Sequence, residues 1–167
     1  GTSEDTYQHD PGDPPLPGEG QGKGDSMAIW TLISSEILKV HKRMCYGVKM
    51  IDVTGHLESQ RVDDAYVDDT DTYATAPETN TVEETVSNLT NHTQIWTLLV
   101  AATGGLLAFH KCMWQILAWV LVGGEYLMAS NQNVKGDLFL IDQRGYSHKI
   151  ERRPATQPNP SLGFLLC

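Results

Sequence analysis

The sequence predicts an α+β chain in which two helices back an antiparallel sheet and further β-hairpins follow. Three observations point there. Apolar residues recur at three- and four-residue steps over residues 27–42 and again over 78–103, the period of a helix with one buried side. Between these windows and after the second, β-branched and aromatic runs alternate with Gly- and Asp-containing turns at hairpin spacing. The stretch Tyr66-Val67-Asp68-Asp69-Thr70-Asp71 sets strand-favouring residues against turn-favouring acids.

Taken in order, residues 1–24 are rich in Pro and Gly, which disfavours regular structure and reads as an extended lead-in. Asp25 or Ser26 is placed to cap a helix from about Met27 to Lys42, with Ile29, Ile33, Ile37 and Val40 as its buried stripe. A short strand falls near Tyr46–Val53, Gly55 turns the chain, and residues 62–75 form a hairpin with acids at its tip. Pro77 separates this hairpin from a long helix, about Glu78 to Thr103, whose buried stripe is Val82, Val86, Leu89, Thr93, Trp96 and Val100. Glu78, Glu83 and Glu84 crowd its first turns, where the helix dipole favours anions, and Gly104 is its stop. Cys112–Val122 and Glu125–Ala129 flank Gly123-Gly124 as one hairpin; Leu138–Asp142 and Tyr146–Glu151 flank Gln143-Arg144-Gly145 as another. A Pro-rich link, Pro154 to Pro160, leads to a final strand from Leu162. Residues 25–167 thus form one folded unit behind the lead-in.

Composition narrows the function. A chain of 167 residues is about one domain. A formal net charge of −9 argues against a free-standing nucleic-acid binder, which needs a basic face for phosphate. The acids concentrate in residues 1–26 and 52–84, however, whereas Lys135, Arg144, Lys149, Arg152 and Arg153 make the last third mildly basic. Cys45, Cys112 and Cys167 are odd in number with no CxxC spacing, so neither a disulfide framework nor a zinc site is indicated. A reducing, intracellular setting (cytoplasmic or nuclear) is expected. The apolar run Ile95–Phe109 is shorter than the ~20 residues a membrane span needs and is interrupted by Gly104-Gly105, so it reads as a buried helix end. Neither stable membrane association nor an obligate protein partner is expected. The six histidines show no i, i+4 pair and read as surface or core residues. Asn88-Leu89-Thr90 and Asn91-His92-Thr93 match the glycosylation pattern but fall within the second helix.

The acids carry the sharpest chemistry. Asp68 and Asp69 at a hairpin tip cannot escape each other's charge, and hard carboxylate oxygens suit Mg²⁺. Such a pair can form part of a two-cation nucleotidyl-transfer site; the plainer reading is a solvated acidic turn. Asp71 suits a solvent-facing or capping role. An EF-hand is excluded, since its glycine and bidentate glutamate are missing, and so is a phosphate-cradling GxxxxGK[ST] loop.

Four segments, in this order, resemble the palm of reverse transcriptases, in particular those of non-LTR-type retroelements. They are Gly20-Gln21-Gly22-Lys23-Gly24 with the helix after it, Ala65-Tyr66-Val67-Asp68-Asp69, Ala102-Thr103-Gly104-Gly105 followed by His110-Lys111-Cys112-Met113-Trp114, and Ser161-Leu162-Gly163. The resemblance runs from about Leu16 to Leu166 and implies a palm-type antiparallel sheet backed by two helices, with the start of the connection to the thumb. It implies that Asp68 and Asp69 are catalytic Mg²⁺ ligands and that Lys111 assists the leaving pyrophosphate. Gly20, Gln21, Gly22 and Tyr66 would contact the incoming nucleotide or template base, and Leu162 and Gly163 would grip the primer. The implied partners are an RNA template, a DNA primer and a dNTP.

The chain departs from that pattern in three ways. No strand carrying a further metal-binding aspartate precedes residue 20, and the fingers that hold the template are missing upstream. The strand leading to the acids should be apolar yet reads Arg61-Val62-Asp63-Asp64-Ala65, and an unpaired buried Asp there would cost on the order of several kcal/mol. The expectation is therefore a polymerase fragment, inactive alone. A decayed, non-catalytic retroelement remnant and a small membrane-associated protein are the alternatives.

Overall fold

The computed structural model describes residues 26–66, 69–76, 81–128, 134–157, 159–161 and 164–166. Helix α1 (Ser26–Met44) leads into a hairpin, β1 (Val48–Ile51) and β2 (Glu58–Arg61), and then into the acid hairpin, β3 (Asp63–Tyr66) and β4 (Asp69–Thr72). Helix α2 (Val82–Ala102) and a 3₁₀ turn (Phe109–Lys111) follow. The rest is β5 (Met113–Trp114), β6 (Trp119–Val122), β7 (Glu125–Met128), β8 (Leu138–Ile141), β9 (Ser147–Arg152), β10 (Asn159–Ser161) and β11 (Phe164–Leu166). The class is α+β, as expected. The sheets are small and separate: β1–β2, β3–β4, β6–β7 and β10–β11 are antiparallel pairs, and one three-stranded sheet runs β5-β9-β8. In that sheet β8 and β9 are antiparallel, whereas β5 joins β9 in parallel.

Helix α2 is the spine. Thr81 caps it by accepting the Glu84 N–H, Glu83 and Glu84 stand in its first turn, and Gly104 (φ 83°) terminates it in the left-handed conformation that glycine tolerates. Val86 and Leu89 pack with Trp114, Ile116, Leu138, Leu140 and Ile150 over the three-stranded sheet. About two to four turns later, Trp96 and Val100 close a second cluster against Ile37 of α1. One amphipathic helix thus serves two small cores. Among the described residues no helix is long and apolar enough to cross a membrane.

Two expectations need correction. Helix α1 keeps half of the expected stripe: Ile29 and Val40 are 40% and 38% exposed, but Ile33 and Ile37 face inward and His41 and Cys45 continue their row. These four residues are spaced at i+4, so the row is geometrically ordinary; a histidine in it masked the pattern. Cys112–Val122 is not one strand either. The Trp114 carbonyl accepts the Arg153 N–H and the Gln115 side-chain amide bonds the carbonyls of Pro154 and Gln157, so the 153–157 segment holds the chain there and β6 begins only at Trp119.

Gly47 sits where β1 meets the β2–β3 junction. A Cβ there would collide with the Arg61 carbonyl and stand 2.6 Å from Val62 Cα, all backbone. Gly55, in the β1–β2 turn, has open space but φ +73°. Gly47→Ala is expected to lose about 3 kcal/mol by forced separation of the backbones, and Gly55→Ala about 1 kcal/mol from left-handed strain alone. Urea denaturation midpoints of the two variants check the order.

Candidate cation site on the acid hairpin

The register of the acid hairpin pairs Asp63 with Thr72, Asp64 with Asp71, Ala65 with Thr70, and Tyr66 with Asp69. Because successive strand residues point to opposite faces, Asp63 and Thr72 share one face and Asp64, Asp69 and Asp71 the other. The two faces have opposite fates.

The inner face is buried in a polar network that ties three elements together. Asp63 Oδ2 lies 2.7 Å from His41 Nδ1, with the two side chains 3% and 0% exposed. The other carboxylate oxygen accepts from Thr72 Oγ1 at 3.0 Å. His41 Nε2 is 2.8 Å from the backbone carbonyl of His92 on α2. Both His41 ring nitrogens face oxygen atoms, so an imidazolium donates to both at once. Burial pushes its pKa down, but the hydrogen bonds to Asp63 and to the His92 carbonyl more than offset that and hold it above the ordinary 6.5. His92 is the converse case. Its Nε2 accepts the Tyr46 N–H at 3.3 Å, so the proton sits on Nδ1 and is donated to the Tyr73 carbonyl at 3.2 Å. Burial, aided by the charge of His41, holds its pKa below 6.5. The two rings stand edge to face, 6.3 Å apart, and His41 also meets the Trp96 ring at 5.5 Å. Cys45, beside them, has its thiol pushed up to about 11 by burial and the nearby Asp63, which leaves it unreactive.

On the outer face Asp64 is held by Arg61, whose Nε lies 2.7 Å away, and by the Tyr73 hydroxyl at 2.9 Å. Burial raises its pKa, yet those two donors bring it below the usual carboxylate range. Burial and the bond to Asp64 push Tyr73 up to about 12. Asp71 has its pKa raised, first by partial burial and then by the charges of Asp64 and Asp69. Asp69 is exposed at the start of β4. Like charges opposite one another across a strand pair are destabilising, and a bound cation relieves them. The expected cost of Asp63 and Asp64 as unpaired acids does not arise, because each has partners.

The expected site residues fall in several places. Tyr66 ends β3 as the cross-strand partner of Asp69. Lys111 is the last residue of the 3₁₀ turn, exposed, in a segment that packs against β9; no hydrogen bond or ion pair joins it to the acid hairpin among the described residues. Asp68, Gly20, Gln21, Gly22, Leu162 and Gly163 lie outside the described residues. Among the described residues no three His, Cys, Asp or Glu side chains are grouped to hold a metal ion. Asn88, in the first glycosylation-like triplet, bonds the Thr75 carbonyl at 2.8 Å. The residues that sequence reasoning missed are His41 and His92, separated by 51 positions; the one local signal was His41 continuing the i+4 row of α1. Neither a family model, nor a curated protein, nor a solved structure matches this chain.

The two histidines pull stability in opposite directions with pH. His41, with its folded pKa above 6.5, contributes stability that is complete below 6.5 and lost as pH rises through its folded value. His92, with its folded pKa below 6.5, contributes stability that is complete above 6.5 and lost as pH falls through its folded value. Urea midpoints are expected to peak near pH 6.5, with His41→Asn flattening the alkaline limb and His92→Asn the acid limb. An alkaline limb unchanged in His41→Asn contradicts the assignment. Asp63→Asn, which leaves a buried imidazolium without its carboxylate, is expected to cost about 3–5 kcal/mol in the same assay.

Proposed function

We propose that the acid hairpin is the cation-holding element of an RNA-directed DNA polymerase palm of the non-LTR type, with Asp68 and Asp69 as the Mg²⁺ ligands. The observation that carries this reading is the hairpin itself. Its strands pair up to Tyr66 and Asp69, and Asp69 is open to solvent on a face already crowded with negative charge. His41 of α1 bonds Asp63 of β3, and His92 of α2 bonds the Tyr73 carbonyl just beyond β4, so both helices contact this segment. The linear order of the glycine-rich turn, the acids, the Gly-Gly-to-lysine segment and Leu162-Gly163 supports it further.

The donor chemistry suits Mg²⁺: carboxylate oxygens are hard ligands whose mutual repulsion a divalent cation would offset. When bound, the ion supplies the positive charge that steadies the attacking 3′-oxygen and the leaving pyrophosphate. The chain's own residues do the placing. Asp68 and Asp69 would hold the ion, Lys111 would offer a cation to the departing phosphates, and Gly20, Gln21 and Gly22 would let backbone approach a nucleotide. Tyr66 would border the nucleotide, and Leu162-Gly163 would contact the primer. A complete site needs a further carboxylate from another strand, which no described residue supplies, so the assignment is to part of a polymerase site. A non-catalytic remnant is the second reading, favoured by Arg61, which claims Asp64, and by an acid hairpin that pairs with no third strand among the described residues.

Calorimetric titration with MgCl₂ tests the cation site. The chain is expected to bind, and Asp68→Asn or Asp69→Asn to weaken binding at least ~10-fold, equivalent to about 1.4 kcal/mol; undiminished binding in both variants refutes the ligand assignment. Fluorescence anisotropy with a labelled RNA–DNA primer–template in Mg²⁺ tests the polymerase reading. Retention that weakens in Gln21→Ala and Lys111→Ala supports it, and no retention favours the remnant.

A further inference from the structure

We propose that Trp114 and Arg152 form a binding site for inorganic phosphate on the three-stranded sheet, independent of the acid hairpin. The two residues are neighbours by register, since β5 and β9 run in parallel with Trp114 opposite Arg152. Directly opposed residues share one face of a sheet. Here the Arg152 guanidinium lies over the Trp114 ring, its central carbon 4.9 Å from the ring centroid.

A structural role accounts for part of this arrangement. Arg152 Nη1 donates to the Val134 carbonyl at 2.7 Å, and stacking on the indole steadies the planar group. Three donors are left over. Arg152 Nε, Arg152 Nη2 and Trp114 Nε1 are all buried, and none of them has a hydrogen-bond partner. Trp114 as a whole is only 6% exposed. Leaving a buried donor unmet is costly, and more so when the group is charged. Desolvation is the largest influence on the Arg152 charge and works against it. Asp137 is the carboxylate whose charge reaches Arg152, but its Oδ1 is held by Lys149 at 2.9 Å. The described residues therefore hold a desolvated positive charge and supply no anion to pair with it.

The donors define what would pair with it. Nε and Nη2 carry the two parallel N–H groups on one side of the guanidinium, the edge that engages two oxygens of one oxyanion. The indole N–H adds a third donor, and the set contains no acceptor, which excludes a cation. One water has two lone pairs and leaves a donor unmet. An oxyanion accepting ~2.9 Å hydrogen bonds through different oxygens spans the separation of the stacked groups. Three donors suit the several oxygens of phosphate better than the two of a carboxylate. Because the donors are enclosed, a small free ion fits better than a phosphate carried on a larger molecule. Arg152 as a whole is only partly buried, so the site borders solvent.

Phosphate titration of the full chain tests the site, with the Arg152 Nε–H and Trp114 Nε1–H signals followed by ¹H–¹⁵N NMR at constant ionic strength. Both signals are expected to move together and saturate, with a dissociation constant of about 1 mM or tighter. No saturable movement at ~20 times that constant, or movement of one signal alone, overturns the proposal. Acetate and adenosine monophosphate are expected to bind at least ~10-fold more weakly; equal affinity for either overturns the assignment to free phosphate. Arg152→Lys keeps the charge but loses the paired edge, and Trp114→Phe keeps a stacking ring but loses the N–H. Each variant, checked for folding by circular dichroism, is expected to weaken phosphate binding at least ~5-fold. Wild-type affinity in either folded variant overturns the site.

Discussion

A buried ion pair between His41 and Asp63 is the constraint on which the rest of this structure depends. A lone carboxylate at that depth would cost several kcal/mol, and a lone imidazolium as much. Neither is alone: Asp63 receives His41 and Thr72, and His41 donates to Asp63 and the His92 carbonyl, so every strong donor in the pair has an acceptor. Such a pair adds less net stability than an apolar filling of the same volume would, but it is specific.

That specificity matters because the apolar support is divided. Helix α2 spends its first half on the three-stranded sheet and its second on α1, and the hydrophobic cluster between the helices is built around only Ile37, Trp96 and Val100. The acid hairpin has no third strand among the described residues and a mostly polar sequence, and a two-stranded hairpin is marginal by itself in water. The Tyr73–Val62 backbone bond adds a rung to it, and its attachment runs through the histidine network and the close approach of Gly47 to Arg61. The negative outer face can stay crowded with charge because the inner face is anchored.

Much of this was readable from local pattern. Helix α2, with its acidic first turn and Gly104 stop, follows directly from the spacing of Val86, Leu89, Trp96 and Val100. The acid hairpin and the β8–β9 hairpin follow from their turn residues. What was not readable depends on contacts distant in the chain. Val40 looked apolar enough to be buried, yet the inward position one residue later belongs to His41, because its partners lie 22 and 51 residues away. Asp63 looked misplaced in a strand for the same reason. The break after Trp114 likewise reflects bonds to residues about 40 positions on, which no local propensity encodes. For the candidate site, an acid-bearing hairpin was legible from Tyr66 to Asp71, but the division between an anchored and a free face was not.

The protonation pattern of the two buried histidines tests this account most directly. Ring ¹⁵N shifts of the folded chain at pH 6.5 should show His41 mostly with both nitrogens protonated and His92 mostly with a single proton on Nδ1. A folded chain in which His41 carries one bare nitrogen at that pH would contradict the account, since the carboxylate and the carbonyl could not then both be satisfied.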